Sequence, residues 1–427
     1  MKNIINISLF LSLCLSSMYG FDAAQERDRH SSVKKAIDSF GKLEKKEVST
    51  VDKFRSMFVE GEFTAQIRTL SAANKQEQAS QTSNYATALG GTLKYELASF
   101  NGFNAGVAMT TSQDIRVLTG AHETGKQNPE LSSSKGNYTQ LSEAYLNYKY
   151  QDFNLRAGRQ IVDTPLADSD DVRMIQNTFN AYLLRYELNN FSFLAGNIMD
   201  WQGSGAGLDE AWVSTGPHGV WLSGMSYSDK LEGSLWYYDI SAEDEETKAL
   251  YCDFGGKYLF NDKFSIHGLV QYLKETQAQE SGVQADIYGV LLEGVAYGVG
   301  VNIAYNKSLK HNGKRSFAGI GGGALFTSMD TLSIDAISED REASALVFGL
   351  VYNYKSLNLL YAYGDFVGKE DSANDSAHLS EQNIGVEYNV NKEFVIALLY
   401  SIAQDLESKT KTEYDFNRAQ VMLNYNF

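Results

Sequence analysis

The sequence predicts an all-β chain, a transmembrane antiparallel up-and-down β-barrel of about eighteen strands. Three observations lead to this prediction. Several segments alternate apolar and polar residues with the strand period of two, and short polar turns alternate with longer polar segments. No apolar run after the N-terminus reaches the roughly eighteen residues that a membrane-spanning helix needs. Because lipid cannot satisfy the peptide groups of an open sheet edge, a membrane sheet must close on itself.

The N-terminus has the layout of an export signal, which we assign to residues 1–20. Lys2 gives a positive start, the stretch from Ile4 to Leu15 is almost entirely apolar, and small or polar residues lead to Gly20. The apolar stretch is too short to cross a bilayer as a helix. We therefore expect export and cleavage after Gly20.

Residues 21–53 form a separate periplasmic N-terminal segment, and the barrel is predicted over residues 54–427. We expect this segment to be either a tail or a short amphipathic helix, and a helix packed at or within the barrel mouth is the alternative. Its helical spacing is carried by Val33, Ala36, Ile37, Phe40 and Leu43.

Period-two alternation is clearest in three predicted strands, each apolar outward and polar inward. In the first strand the outward face carries Met57, Val59, Phe63, Ala65 and Ile67, and the inward face Glu60, Glu62, Thr64, Gln66 and Arg68. The same pattern surrounds Ile384 and ends the chain from Gln420 to Phe427. Further strands are predicted around Leu222, Trp236, Ile266, Tyr288, Val301, Phe348, Tyr361, Val386, Leu398 and Leu423.

Charge and motifs exclude several classes of function. The formal net charge of -16 argues against a nucleic-acid partner. Cys252 is the only cysteine after the signal, so we expect no internal disulfide. No histidine lies in a recognisable catalytic motif and no EF-hand spacing occurs, so we expect no enzyme, no metal site and no cofactor.

Two stretches carry a resemblance to a known family. Residues 59–68 read VEGEFTAQIR, and residues 143–183 read EAYLNYKYQDFNLRAGRQIVDTPLADSDDVRMIQNTFNAYL. Their motifs GRQ, TPL, DD, RM and NTF resemble the OprD family of outer-membrane porins, especially its epsilonproteobacterial branch. Gln176 departs from this pattern, which commonly has proline there. The resemblance, close over residues 57–200, implies an eighteen-stranded barrel with a narrow pore for small charged nutrients.

The loop from Ile161 to Asn177 follows the fifth predicted strand, and the resemblance implies that this third extracellular loop folds inward and constricts the pore. Opposed charges across a narrow channel create a transverse field that orients dipolar solutes. The alternative is that its aspartates are solvated or cap turns. The predicted constriction residues are Arg159, Asp163, Asp168, Asp170, Asp171 and Arg173.

Basic residues are also predicted to line the lumen, because an arginine facing the lipid midplane would cost about 2–4 kcal/mol. The resemblance implies a basic ladder that guides carboxylates, whereas pairing with lumen carboxylates is the alternative role. Since the first and last strands of a closed barrel are neighbours, we expect Arg68 and Arg418 to lie side by side. The full set is Arg68, Lys94, Arg156, Arg185 and Arg418.

The C-terminal residues Leu423, Tyr425 and Phe427 resemble the signal read by the barrel-assembly machinery, although an ordinary last strand would look similar. Together these features predict passive, modestly charge-selective diffusion of small hydrophilic solutes across the outer membrane of a Gram-negative bacterium. The partners would be membrane lipid and lipopolysaccharide, the assembly machinery and the solutes, with a homotrimer left open. An outer-membrane adhesin or surface-structural barrel is the alternative function.

Overall fold

The computed structural model describes residues 50–115, 131, 137–204, 206–207, 212–242, 245–261, 263–277, 282–311, 314–316, 319–321, 323–371 and 374–427. The predicted signal and the predicted helical residues between Val33 and Leu43 lie outside these ranges. Within them, no helix has both the length and the hydropathy needed to cross a membrane.

Nearly all of the described regular structure is strand. The helices are α1 (Thr50–Val59) and α2 (Asp335–Ser338). The strands are β1 (Glu62–Gln76), β2 (Asn84–Glu96), β3 (Phe103–Asp114), β4 (Asn137–Tyr150), β5 (Phe153–Gln160), β6 (Thr178–Leu188), β7 (Phe191–Gln202), β8 (Val213–Ser214), β9 (Val220–Ser228), β10 (Leu231–Ala242), β11 (Glu245–Asn261), β12 (Phe264–Gln277), β13 (Ala285–Ala296), β14 (Val299–Ser308), β15 (Ala343–Tyr354), β16 (Leu357–Gly368), β17 (Ala377–Asn389), β18 (Phe394–Asp405) and β19 (Phe416–Asn426).

The sheet closes into a barrel. β8 has two residues and only extends the edge of β7, and the other eighteen strands pair antiparallel in chain order. β1 pairs with both β2 and β19, which completes the ring. The predicted eighteen-stranded up-and-down barrel is therefore confirmed.

The two faces of the wall differ as the alternation predicts. Outward residues are exposed and apolar, among them Ile67, Leu93, Leu146, Val290, Ile303 and Tyr425. Inward residues include many buried polar groups, among them Arg68, Glu143, Asn306, Glu381, Asn383, Ser401 and Arg418. Leu70 and Ala72 also point inward, so the inner wall is not uniformly polar.

The start of the first strand differs from the prediction. Met57 and Val59 lie in α1, and β1 begins only at Glu62. Gly61 lies between the two elements, where a β-carbon would collide with the ring of Tyr95. Five residues are too few to separate the strand period from the helix period, so the pattern at Met57 was compatible with either.

Short connections collect at one end of the barrel, called here the turn end. Residues 151–152, 189–190, 297–298 and 355–356 are two-residue turns, and Gln151, Asn189 and Lys355 have positive φ there. The opposite end, the loop end, carries all the long connections and one short one between β10 and β11. Pairs of outward aromatic residues lie on the wall near the turn end. In one of them Phe153 stacks on Tyr186, with ring centroids 4.4 Å apart.

The outward assignment of β14 makes a testable prediction. Ile303→Arg should lower the free energy of unfolding from lipid vesicles by about 2–4 kcal/mol, because the guanidinium would face hydrocarbon. Thr64→Arg, on the exposed inward side of β1, should change it by less than about 1 kcal/mol. Equal effects of the two substitutions in urea unfolding would contradict a lipid-facing outer wall.

Candidate functional site

The third loop, residues 161–177, leaves the wall well inside the barrel. β5 ends at Gln160, one residue after Arg159, which pairs with Ala144 on β4. β4 extends seven residues farther toward the loop end, to Asn137. The loop then crosses the lumen, and the backbone N–H of Leu166 donates to the Tyr238 hydroxyl on β10 at 3.3 Å. The loop therefore has the predicted bounds and lies inside the barrel.

The seventh loop, residues 309–342 between β14 and β15, also folds inward. Its Ile320 N–H donates to the Leu166 carbonyl at 2.7 Å, and the Asp168 N–H donates to the Ile320 carbonyl at 3.1 Å. These bonds join the seventh loop to the third loop as a short parallel bridge. The alternation of short turns and longer polar segments predicts a loop here but not its inward fold.

Polar groups on the inner wall hold the seventh loop in place. Asn306 on β14 accepts from the Thr327 N–H at 3.0 Å, and Glu381 on β17 accepts from the Leu332 N–H at 2.7 Å. Gln271 on β12 donates to the Ala324 carbonyl at 2.6 Å. Apolar residues of both loops pack against inward residues of β6 to β18, among them Val162, Leu166, Ala167, Leu325, Phe326, Leu332 and Ile334. The signal that could have revealed this is the set of large apolar residues inside an otherwise polar loop.

A charge network ties the third loop to the β1 wall. Arg68 is buried, and its guanidinium contacts both carboxylate oxygens of Asp171 at 2.7 and 3.1 Å. Its Nε donates to the Asn424 side chain on β19 at 2.7 Å. Arg68 thus has the alternative role foreseen for the basic residues, which is to pair and to hold structure.

A second set of ion pairs centres on Asp330 of the seventh loop. Arg173 of the third loop lies 3.0 Å from one carboxylate oxygen of Asp330, and Arg418 lies 3.6 Å from the other. Burial would raise the pKa of Asp330, but the two guanidiniums outweigh it and hold the pKa below its ordinary value. The stabilisation from these pairs is therefore lost only when the pH falls through that lowered value.

The register separates Arg68 from Arg418, which were expected side by side. Arg68 pairs with Asn424, whereas Arg418 pairs with Asn74, six positions farther along β1. Both predicted residues do face the lumen. They are connected through Asp171, Arg173 and Asp330 of the loops rather than by direct contact.

Two aspartates of the third loop, Asp163 and Asp168, cap turns within it. Asp163 accepts from the Ser169 hydroxyl at 2.5 Å, and Asp168 accepts from the Asp170 N–H at 2.7 Å. Asp170 has a φ of 43°, a left-handed conformation that Asp tolerates, and burial raises the pKa of its carboxyl. These contacts match the turn-capping alternative, and they leave Asp163 exposed and Asp170 partly exposed.

Arg159, predicted at the constriction, points away from the lumen. It pairs with Ala144 and Asn180, which belong to the outward rows of β4 and β6. Its guanidinium lies 4.6 Å from the ring centroid of Trp212 and donates to the Leu141 carbonyl at 3.2 Å. The family-like triplet at 158–160 suggested a pore residue, but two-residue alternation from inward Arg156 places Arg159 outside.

Three basic residues, called here the basic arc, line the inner wall on the turn side of the third loop. Lys94 on β2 binds Glu143 at 2.9 Å, and Arg156 on β5 lies 4.4 Å from the ring centroid of Tyr145. Arg185 on β6 is exposed and lies diagonally from Arg156, since Arg156 pairs with Leu183. Among the described residues, no carboxylate forms an ion pair with Arg156 or Arg185, so their charges remain available.

The charge network makes a prediction about the loops. Asp330→Asn removes the buried carboxylate that Arg173 and Arg418 share, and breaking a buried ion pair costs about 3–5 kcal/mol. We expect faster limited proteolysis of the seventh loop in the folded detergent-solubilised barrel. Asp163→Asn, an exposed control in the third loop, should leave the rate unchanged. Equal cleavage rates in the two variants would show that Asp330 does not anchor the loop.

Searches of protein-family models and of curated proteins found no match. Among solved structures, OpdK of Pseudomonas aeruginosa with vanillate has a TM-score of 0.72 and 14% identity, over 87% of this chain and 99% of that chain. OccAB3 of Acinetobacter baumannii gives 0.72 and 14% over 86% and 99%, and OccAB4 gives 0.71 and 13% over 86% and 98%. These neighbours are porins of the OprD and Occ type. The chain therefore has the OprD-type porin fold that its sequence resemblance implied.

Proposed function

We propose that this protein is an outer-membrane channel for passive diffusion of small hydrophilic solutes, with a preference for small carboxylates over cations. The observation that carries the proposal is the basic arc, in which Arg156 and Arg185 face the lumen without a carboxylate partner among the described residues. A water-filled path lined by uncompensated guanidiniums raises the local concentration of anions and lowers that of cations.

The lumen contains two kinds of basic residue, those in ion pairs with loop carboxylates and those without a carboxylate partner among the described residues. Arg68, Arg173 and Arg418 form ion pairs with Asp171 and Asp330, whose two carboxylates offset two of the three positive charges. Arg156 and Arg185 keep their charge, and the planar guanidinium matches a carboxylate in two parallel hydrogen bonds. A carboxylate passing the third loop from the loop end would next meet the basic arc.

The side chains around Arg156 suit a carboxylate group. The Lys94 ammonium lies 5.4 Å, and the Arg156 guanidinium 4.4 Å, from the centroid of the Tyr145 ring. Tyr145 is itself buried, so the groups that this stretch of wall presents to a solute are the two cations. The OpdK structure with vanillate is a precedent for an aromatic carboxylate in a barrel of this fold.

Location and assembly belong to the same proposal. The signal at residues 1–20 would export the chain, and the exposed apolar outer wall would contact lipid and lipopolysaccharide. The C-terminal residue closes the ring, because the backbone groups of Phe427 exchange hydrogen bonds with Ala65 at 2.8 and 2.9 Å. Leu423, Tyr425 and Phe427 share the outer face of β19, where the assembly machinery would read them.

Arg156→Gln combined with Arg185→Gln should lower the anion-to-cation permeability ratio by about threefold, because two unit charges leave the path. Reversal potentials in planar bilayers under a salt gradient measure this ratio. Arg159→Gln is the control, since it removes one guanidinium from the outer face and should leave the ratio unchanged. A ratio unaffected in the double variant, or lowered equally in the control, would contradict the role of the basic arc.

Replacing Phe427 by Ser should reduce the amount of folded, heat-modifiable barrel in the outer membrane of cells by about tenfold, if the terminal aromatic is read during assembly. Phe254→Ser, which removes an exposed aromatic from the outer wall of β11, is the control for lost lipid contact. Refolding of both variants into detergent separates recognition from stability. A Phe427 variant that accumulates normally in cells would exclude the assembly role.

A further inference from the structure

Helix α1 is amphipathic, and the residues that the structure describes leave most of its apolar side exposed. Val51, Phe54 and Phe58 recur at helical spacing and form one stripe, named here the apolar stripe. These side chains are 75%, 54% and 52% exposed, although large apolar groups in water are unfavourable. Asp52 and Ser56 lie on the other side of the helix, and Glu60 directly follows its last residue.

The protein fixes this helix against the outside of the barrel wall. Tyr95 belongs to the outward row of β2, since it pairs with outward Phe63, and its hydroxyl donates to the Phe58 carbonyl. The Ala98 N–H, in the connection between β2 and β3, donates to the Met57 carbonyl at 3.0 Å. Met57 is buried, so one edge of the helix packs on protein, while the side chains of the apolar stripe stay more than half exposed.

The apolar stripe continues the apolar outer wall at the turn end. Phe54 packs edge-on against Phe100, which precedes β3, with ring centroids 6.3 Å apart. Phe63 on β1 and Phe103 on β3 are 55% and 56% exposed at the same end of the barrel. The helix thus adds its exposed aromatic residues to a surface that already faces outward.

We propose that α1 is an interfacial anchor, whose apolar stripe inserts into the phospholipid leaflet at the turn end of the barrel. This rests on the proposed membrane location of the wall. An amphipathic helix of this kind lies in the interface plane with its apolar side roughly 5–10 Å into the boundary between headgroups and acyl chains. Continuity with the outer wall favours lipid over the preceding chain or a second copy as the occupant.

The test uses the full-length mature chain with Cys252→Ser and single cysteines introduced as Phe54→Cys, Glu60→Cys or Ile303→Cys. Each cysteine is labelled with an environment-sensitive nitrobenzoxadiazole dye, and folding is checked by heat-modifiable electrophoretic mobility. The proteins are placed in phosphatidylethanolamine–phosphatidylglycerol vesicles with or without nitroxide-labelled phosphatidylcholine. Glu60, the exposed polar residue directly after the helix, is the control, and Ile303 reports on the barrel wall.

We expect lipid nitroxides to quench the dye at position 54 at least about twofold more than the dye at position 60. Two results would overturn the anchor: equal quenching at the two positions, or a shielded dye at position 54 that nitroxides do not quench. In both cases, quenching at position 303 would still support the membrane barrel. Absence of quenching at position 303 would overturn the membrane barrel and the anchor together.

Discussion

The pairing of β1 with β19 is the contact on which the rest of the structure depends. It runs without interruption from Gln66 opposite Asn426 to Gln76 opposite Phe416. In hydrocarbon an unpaired strand edge would leave a row of peptide groups without hydrogen bonds, so the ring has to close. Closure also fixes which face of every strand points outward, because each strand inherits its orientation from its neighbour.

Inside the closed wall, two loops replace much of the water that an empty barrel would hold. The inner wall supplies Gln271, Asn306 and Glu381 as hydrogen-bonding partners, and the loops supply apolar side chains that pack between them. Buried polar groups of this kind are stable only when they are hydrogen-bonded. The polar groups of the wall therefore fix the positions of the loops, and the loops satisfy the polar groups of the wall. The narrowing of the lumen is therefore built from long-range contacts and not from the strands alone.

The features that the sequence could predict are those that depend on residues close together in the chain. Alternation is local, so the number of strands, the outward and inward faces of β17 and β19, and the bounds 161–177 of the third loop could be predicted. The separation of Arg68 from Arg418 depends on register across the seam, which no single strand encodes. The inward fold of the seventh loop depends on contacts with β12, β14 and β17, which are distant in the sequence.

The same residue type has opposite roles in this lumen, depending on its partner. Arg68 is 1% exposed and bonded to Asp171, so desolvation is offset within the protein and no charge is left for a solute. Arg156 is partly exposed and stacks on Tyr145, which offers cation–π attraction but no neutralising charge. An arginine in a pore thus guides solutes only where the protein leaves its charge uncompensated, and on this wall that occurs on β5 and β6.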